Sequence, residues 1–287
     1  MRVADVKNKI KVTIVAVLLA ALVAVFGYSV VRIVAQLSEE KEAKDSFDAL
    51  KETVREIEQQ AYFAPAQAES DQPYFAPSDT STSSEIAELP DAEPERLKLP
   101  QYAVLYKQNP DLFGWLRIEG TPIDYPVMYT PDDSEYYLHR DFYGTQRNSG
   151  SLFIDGACSA DGNFYLIYGH SMKNKTMFGT LKQYAKTAYW EKHKTVHFDT
   201  LYEKRTYTVM AAFYSSIDDS TSGRFKYYRY RNLSDPVVFD EYVANVIAAS
   251  LYDTGITAQF GDELITLSTC NTSVKDGRFV VVAKRVS

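Results

Sequence analysis

The chain has 287 residues, a length that allows one or two domains. Hydrophobic residues make up 45% of it and charged residues 24%, which is typical of a globular protein and not of a disordered one. The formal net charge is −7 and no basic stripe is present to offset phosphate charge, so nucleic acid is excluded as the main partner.

The N-terminal residues are predicted to form a membrane anchor. Residues 1–11 are basic and are expected to stay in the cytoplasm, because positive flanks remain inside. Residues 12–31 carry no charge, and twenty helical residues span about 30 Å, the thickness of a bilayer core. A cleaved signal peptide is the alternative, although its apolar region is usually only ~7–15 residues long. We expect a single transmembrane signal anchor over residues 12–34, with the rest of the chain outside the membrane.

A stalk and a linker are predicted after the anchor. Residues 35–62 are highly charged with regularly spaced apolar residues, which predicts an amphipathic helix that forms a stalk or packs on the next domain. Residues 63–96 lose this periodicity and are rich in Pro, Ser, Ala and acidic residues, as flexible linkers are. The sequence Tyr-Phe-Ala-Pro occurs at residues 62–65 and again at 74–77, either by chance duplication or as a segment that covers a groove. The apolar residues of the stalk helix are Phe47, Leu50, Val54, Ile57 and Ala61.

Residues 97–287 are predicted to form one β-rich domain. Short helices are expected at residues 102–108, 178–184 and 188–192. Many short strands with turn residues between them favour a closed or nearly closed β-barrel with flanking helices. The predicted strands are residues 114–118, 125–129, 151–154, 163–168, 195–198, 205–214, 264–267 and 278–283.

One long helix is predicted between the sixth and seventh strands, over residues 235–251. Ser234 or Asp235 can cap its N-terminus, and Pro236 fits its first turn. Its apolar residues recur at helical spacing, which indicates a face packed on the sheet. These residues are Phe239, Tyr242, Val243, Val246, Ile247 and Leu251.

Three residues at strand ends could carry chemistry. Cys270 follows the apolar run 264–267, and Arg278 opens the last predicted strand. If these two strands are neighbours, Cys270 and Arg278 lie together at one end of a sheet. His170 follows another apolar strand in the same manner. A thiol attacks an amide as the thiolate, an imidazole can accept its proton, and a guanidinium can stabilise an oxyanion.

Simpler interpretations of these residues are also open. A cysteine after an apolar strand is usually a small buried hydrophobic residue, and a histidine at a strand end is often a surface residue. Outside the cytoplasm the two cysteines, Cys158 and Cys270, could also form a structural disulfide, which would consume the thiol. A count of free thiols tests the disulfide.

The combination of motifs resembles the sortase family of Gram-positive transpeptidases. Three features carry the resemblance: Thr-Leu-Ser-Thr-Cys at residues 266–270, Arg278 at the start of the last strand, and Gly-His at residues 169–170 after an apolar strand. The Thr-Leu-Ser-Thr-Cys form is most like class B sortases, and the helix predicted between the sixth and seventh strands agrees with that class. The resemblance covers roughly residue 109 to the C-terminus.

The resemblance implies a membrane-anchored cysteine transpeptidase. Cys270 would be the nucleophile, His170 the general acid/base, and Arg278 the oxyanion or substrate-positioning group. Ser268 and Thr269 of the motif would contact the substrate. Such enzymes cleave a C-terminal sorting motif of secreted proteins through a thioacyl intermediate, which an amine of a lipid-linked cell-wall precursor resolves. A pilin-polymerising enzyme and a catalytically silent surface-binding protein with the same barrel are the alternatives.

The long connection before the seventh strand is predicted to contribute to specificity. Residues 217–261 exceed what a hairpin needs, and long loops in compact domains tend to be functional. Tyr227 and Tyr228 lie in an aromatic, basic stretch of this connection and would bind the sorting peptide. A solvated loop packed by its helix is the simpler interpretation.

No histidine pair shows metal-ligand spacing, so neither zinc nor another cofactor is expected.

Overall fold

The computed structural model describes residues 2–63, 96–218, 223–271 and 276–287. Most of the predicted linker and both Tyr-Phe-Ala-Pro repeats, apart from the first two residues of the first repeat, lie outside the described residues. The chain divides into two compact units, Met1–Asp48 and Ala49–Ser287, and each is treated by itself below.

The first unit is helical throughout its described length. It belongs to helix α1, which extends over Arg2–Phe63 as 62 residues. Its most apolar stretch has a mean hydropathy of 2.7 and none of that stretch is buried, so length and composition are sufficient for a membrane span. Exposed apolar side chains of this kind are stable in lipid and costly in water.

The last residues of α1, 49–63, belong to the second unit and pack against its barrel. Leu50 and Val54 of the predicted apolar face are buried. Glu58 accepts a hydrogen bond from the ammonium of Lys204 at 2.7 Å, at the edge of the same contact. This part of the helix therefore packs through Leu50 and Val54 as their spacing predicts, whereas Ile57 is half-buried and Ala61 is exposed.

Within the described residues, eight strands close into a barrel with the order β1-β2-β3-β4-β7-β8-β6-β5. This architecture confirms the barrel expected from the strand pattern. Most neighbouring strands are antiparallel, whereas the β2–β3 and β4–β7 pairs are parallel. The strands are β1 Leu112–Arg117, β2 Asp124–Met128, β3 Leu152–Ile154, β4 Phe164–Tyr168, β5 Thr195–Thr200, β6 Thr206–Ser216, β7 Leu264–Asn271 and β8 Gly277–Arg285.

Helices flank the barrel. Helix α4, Pro236–Ala249, lies between β6 and β7 as predicted, and the Asp235 carboxylate caps it by accepting from the amides of Val237 and Val238. Helix α2 is Pro100–Gln108 and helix α3 is Thr187–Lys192. The helix predicted over 178–184 is instead a short 3-10 helix at Leu181–Ala185. Further 3-10 helices are Pro131–Asp133, Tyr136–His139 and Tyr227–Arg229.

The two faces of β4 have different neighbours. Tyr165 points into the barrel, where its ring packs against Phe113 and Phe198 at centroid distances of 5.2 and 5.7 Å. Phe164 points to the outer face, where it packs against Tyr242 of α4 at 5.3 Å. Because side chains alternate along a strand, every second residue after Phe164 also belongs to the outer face. The same face of β7 continues to the end of that strand, where the candidate site begins.

Candidate active site

Strand β7 delivers Cys270 opposite Arg278 of β8. The two residues are directly paired in the antiparallel register, which confirms that the last two strands are neighbours. Directly opposite residues in such a pair have Cβ atoms about 4.5–5.5 Å apart. Cys270 is half-buried and has a free thiol. A thiol and a permanent positive charge therefore share one end of the sheet.

His170 reaches the same end through the parallel pairing of β4 with β7. Tyr168 is in register with Ser268, and the amide of Gly169 donates to the carbonyl of Ser268 at 3.1 Å. His170, one residue beyond Gly169, consequently lies at the level of Cys270. The hydroxyl of Thr269 donates to the carbonyl of Gly169 at 2.7 Å, which fixes the Gly-His turn against the cysteine strand.

The imidazole of His170 is held by a backbone carbonyl and an aromatic stack. Its Nε2 lies 2.7 Å from the carbonyl oxygen of Leu138, a contact that requires a proton on Nε2. In the neutral ring Nδ1 is then the free acceptor. The ring of His139 stacks on His170 with centroids 5.2 Å apart and an interplanar angle of 24°. Burial lowers the pKa of His170 below its ordinary value, and the charge of His139 acts in the same direction.

Arg278 lacks a carboxylate partner among the described residues. Its Nη1 donates to the carbonyl of Gly277 at 3.0 Å, and the side chain is half-buried. Since a guanidinium carries five N–H donors, most of its donor capacity is available to a ligand. The arrangement suits an oxyanion, which needs donors that keep their charge throughout the reaction.

The three side chains line one cleft of about 840 Å³ on the outer face of β4 and β7. Its floor includes Tyr168 and Ser268, and one wall is the connection between β6 and α4. The rest of the lining comes from the two 3-10 helices before β3 and the turn after β3. Residues of these walls that line the cleft include Pro131, Ser134, Glu135, Leu138, Asp155, Gly156, Ala157, Tyr228 and Arg231.

The four residues predicted to bind substrate all line this cleft. The hydroxyls of Tyr227 and Ser268 lie 2.5 Å apart and both residues are buried, with burial raising the pKa of Tyr227 to about 12. Thr269 is buried too and uses its hydroxyl on Gly169. Tyr228 is half-buried at the wall. The structure thus places three of these hydroxyls in internal hydrogen bonds and leaves Tyr228 more accessible.

Two features of the cleft were not predicted from the sequence. The first is the 3-10 helix Tyr136–His139, whose Leu138 and His139 hold the imidazole. The second is an ion pair between Asp155 and Arg231, with Arg231 Nε 3.1 Å from both carboxylate oxygens. Neither segment shows strand or helix periodicity, so no sequence pattern marked them. Among the described residues no group of three His, Cys, Asp or Glu is arranged to hold a metal ion.

The second cysteine differs from the first. Cys158 is buried with a free thiol, so the structure does not contain the disulfide that was an alternative for this pair. Burial raises the pKa of Cys158 to about 11. A thiol in that state is a poor nucleophile at neutral pH because the thiolate is the reactive form.

A second cavity of about 880 Å³ lies at the other end of β4, β7 and β8. Three of its charged lining residues form ion pairs with one another: Arg205 with Glu263 at 2.9 Å, and Arg285 with Glu263 at 3.2 Å. Both arginines also pair with Glu203. The hydroxyl of Tyr207 donates to Glu263 as well. Arg205, Arg285 and Glu263 are thus engaged with charged partners at this end.

Comparison with known proteins agrees with the architecture of the barrel. The sequence model of the sortase domain matches residues 116–286. Sortase B of Staphylococcus aureus is 30% identical over 189 residues, covering 64% of this chain and 74% of that protein. Sortase B of Listeria monocytogenes is 31% identical over 188 residues, covering 64% and 73%.

The solved S. aureus sortase B–substrate complex shares the fold, with a TM-score of 0.67 at 23% identity over 87% of this chain and 99% of that one. The match of the sortase domain extends over more than half of the present chain. The chain therefore belongs to the sortase family and is a cysteine transpeptidase related to the class B enzymes.

Proposed function

We propose that the chain is a membrane-anchored transpeptidase that cleaves a C-terminal sorting motif of secreted proteins and transfers them to an amine of a cell-wall precursor. Cys270 is the nucleophile, His170 the general acid/base and Arg278 the oxyanion donor. The observation that supports this assignment most directly is the pairing of Cys270 with Arg278 across β7 and β8, with His170 at the same level of β4.

In the acylation half of the reaction, the Cys270 sulfur attacks the carbonyl carbon of the scissile peptide bond. The carbonyl oxygen becomes an oxyanion, to which the free N–H groups of Arg278 donate. His170, with Nε2 engaged by Leu138, uses Nδ1 to accept the thiol proton and then delivers it to the departing amine. The C–N bond breaks and a thioester to Cys270 remains.

In the transfer half, an acceptor amine attacks the thioester carbonyl. His170 Nδ1 accepts a proton from the attacking nitrogen, and Arg278 again stabilises the oxyanion. The C–S bond breaks, a new amide forms and the thiol is restored with the proton that His170 returns. Water in place of the amine would give hydrolysis, so the half-buried position of Cys270 favours transfer by limiting solvent access.

The cleft offers an extended surface for the sorting peptide. Its floor is the outer face of β4 and β7, and the β6–α4 connection with Tyr227 and Tyr228 forms one wall. Ser268 and Thr269 support the floor through their internal hydrogen bonds. We assign these four residues to substrate binding, Tyr228 by direct contact and the other three by fixing the shape of the cleft.

The apolar N-terminal part of α1 supports a single-pass anchor with residues 1–11 in the cytoplasm and the catalytic domain outside. Protease added to spheroplasts is expected to release a fragment of the catalytic domain. A domain that stays protected, or a mature protein that begins after residue 30, would refute the signal anchor.

Product analysis tests the reaction itself. The full-length protein is incubated with a sorting-motif peptide library and candidate amines. Mass spectrometry of the products should detect a new amide between the cleaved peptide and one amine. A cell-wall stem peptide as the preferred amine supports anchoring, whereas a pilin lysine assigns the polymerising function. Absence of any cleaved peptide, with tight peptide binding, would identify a silent binding protein.

A further inference from the structure

The cleft contains a guanidinium that the proposed chemistry does not use. Arg231 lies in the β6–α4 connection, lines the cleft, and has a side chain 45% exposed. Only its Nε is engaged within the described part of the chain, with both carboxylate oxygens of Asp155 at 3.1 Å. Its Nη1 and Nη2 groups, with four N–H donors, have no partner among the described residues.

Asp155 acts as a support for Arg231 and has little capacity left for a ligand. One carboxylate oxygen also accepts from the amide of Ala157 at 3.0 Å, and the other from the hydroxyl of Tyr168 at 3.1 Å. Its side chain is only 9% exposed. Two groups, the amide of Ala157 and the hydroxyl of Tyr168, thus fix the carboxylate, and the carboxylate fixes the guanidinium. A guanidinium held in this way loses little conformational freedom when it binds a second anion.

The position of the Asp155–Arg231 ion pair along the strands matches the residue spacing of an extended peptide bound at Cys270. The Asp155 amide donates to the carbonyl of Leu166, which is in register with Thr266, while Tyr168 is in register with Ser268. Measured along the strand direction, the ion pair therefore lies two to four residues from Cys270, or about 7–13 Å at the strand rise of about 3.3 Å per residue, while Asp155 itself lies on the far side of β4 from β7. An extended peptide with its scissile bond at Cys270 reaches Arg231 with a residue two to four positions away.

We propose that Arg231 is a specificity-determining residue that binds a carboxylate of the peptide substrate in this cleft. The proposal rests on the proposed function, since it assigns a substrate feature to the same site. Guanidinium and carboxylate form paired N–H···O bonds that an uncharged amide does not reproduce. A carboxylate on the acceptor amine has the same chemistry, so the test separates the two sources.

Binding measured without turnover tests the proposal independently of catalysis. The Cys270→Ala background is titrated with fluorescent peptides that contain a Thr and carry either Glu or Gln two, three or four residues before or after it. At one position the Glu peptide is expected to bind about tenfold more tightly than its Gln counterpart. Arg231→Gln should abolish this preference, and Asp155→Asn should weaken it while the charge of Arg231 remains.

Matched controls separate direct contact from general electrostatics and from misfolding. Arg229→Gln makes the same charge change two residues away, outside the cleft lining, and should leave the Glu preference unchanged. Arg231→Glu should reverse the preference toward a Lys peptide, which a merely misfolded variant would not do. Equal binding of Glu and Gln peptides at every position would overturn the proposal, even if the enzyme cleaves them normally.

A second experiment tests whether the carboxylate belongs to the acceptor amine. Glycine and glycinamide compete as amines for the acylated wild-type enzyme and for acylated Arg231→Gln. The proposal predicts that Arg231→Gln leaves the glycine-to-glycinamide product ratio unchanged, because the carboxylate that Arg231 binds belongs to the donor peptide. A loss of glycine preference in the variant, without a change in donor preference, would overturn the donor assignment and place the carboxylate on the acceptor.

Discussion

The barrel has a cavity at each end of β4 and β7, and the two are nearly equal in volume, about 840 and 880 Å³. They differ in how their charged groups are used. At the first end, Cys270 and Arg278 have no carboxylate partner among the described residues. At the second end, Arg205 and Arg285 are both paired with Glu263.

Cavity volume therefore does not distinguish the candidate active site from the second cavity. A buried ion pair whose members satisfy one another fixes a structure, because little binding capacity remains for a ligand. A cleft with available donors and a half-buried free thiol can instead bind a ligand and react with it. Substitutions at the first end should therefore change activity, and substitutions at the second end should change stability.

The largest effect is expected from Arg278→Lys. The ammonium keeps the charge but lacks the planar set of donors, so kcat for peptide cleavage should fall about a hundredfold or more. The free energy of unfolding should change little, since no carboxylate in the described part of the chain depends on Arg278. Steady-state kinetics and urea denaturation of the same preparation measure both quantities. Wild-type activity in this variant would show that Arg278 does not stabilise the oxyanion.

The opposite pattern is expected from Glu263→Gln at the second cavity. Removing this charge leaves Arg205 and Arg285 without one of their partners in a site where Glu263 is only 14% exposed. The free energy of unfolding should fall by about 3 kcal/mol, while kcat/KM per folded molecule stays at the wild-type value. Glu191→Gln, the same change at an exposed position on α3, is the control and should be neutral. A loss of activity without a loss of stability would assign function to the second cavity.

A smaller effect on activity is expected from His139. Its ring stacks on His170, so His139→Ala should reduce kcat roughly tenfold or less by loosening the imidazole, with KM nearly unchanged. His139→Phe keeps a stacked ring and should restore most of the activity. Because the charge of His139 lowers the pKa of His170, both variants should raise that pKa. Histidine NMR titration measures the shift, and an unchanged His170 pKa would contradict the contact.

The smallest expected effect is on stability at acid pH. Burial lowers the pKa of His170, so the unfolded chain binds more protons than the folded one just below the unfolded pKa of about 6.5. The contribution of neutral His170 is therefore full above that value and is lost as the pH falls through the lowered pKa. Urea denaturation of wild type and His170→Gln should show that the free energy of unfolding of the wild type falls relative to that of the variant as the pH is lowered. A wild type that gains relative stability at pH 5 would contradict the direction of the shift.

Much of the fold and of the candidate site could be predicted from the sequence. The many short strands with turn residues between them predicted the barrel, and apolar residues at helical spacing predicted α4. The pairing of Cys270 with Arg278 followed from two apolar runs joined by a short loop. These predictions succeeded because each depends on a local pattern that buries an apolar face.

The supporting groups of the site could not be predicted. Leu138 and His139 lie in a single 3-10 turn, which has no periodicity, and their contact with His170 joins segments 31 or more residues apart. Asp155 and Arg231 are 76 residues apart and meet only because the β6–α4 connection folds over the outer face of the sheet. The ion pairs of the second cavity depend likewise on strand order. Contacts of this kind depend on the three-dimensional fold, so no local sequence pattern predicts them.

Trapping of the acyl-enzyme tests the central claim most directly. Full-length protein incubated with a cleavable peptide and no amine should gain the mass of the acyl fragment, and peptide mapping should place it on Cys270. Cys158→Ala should form the same adduct and Cys270→Ala should form none. An adduct on Cys158, or continued peptide cleavage by Cys270→Ala, would contradict the account.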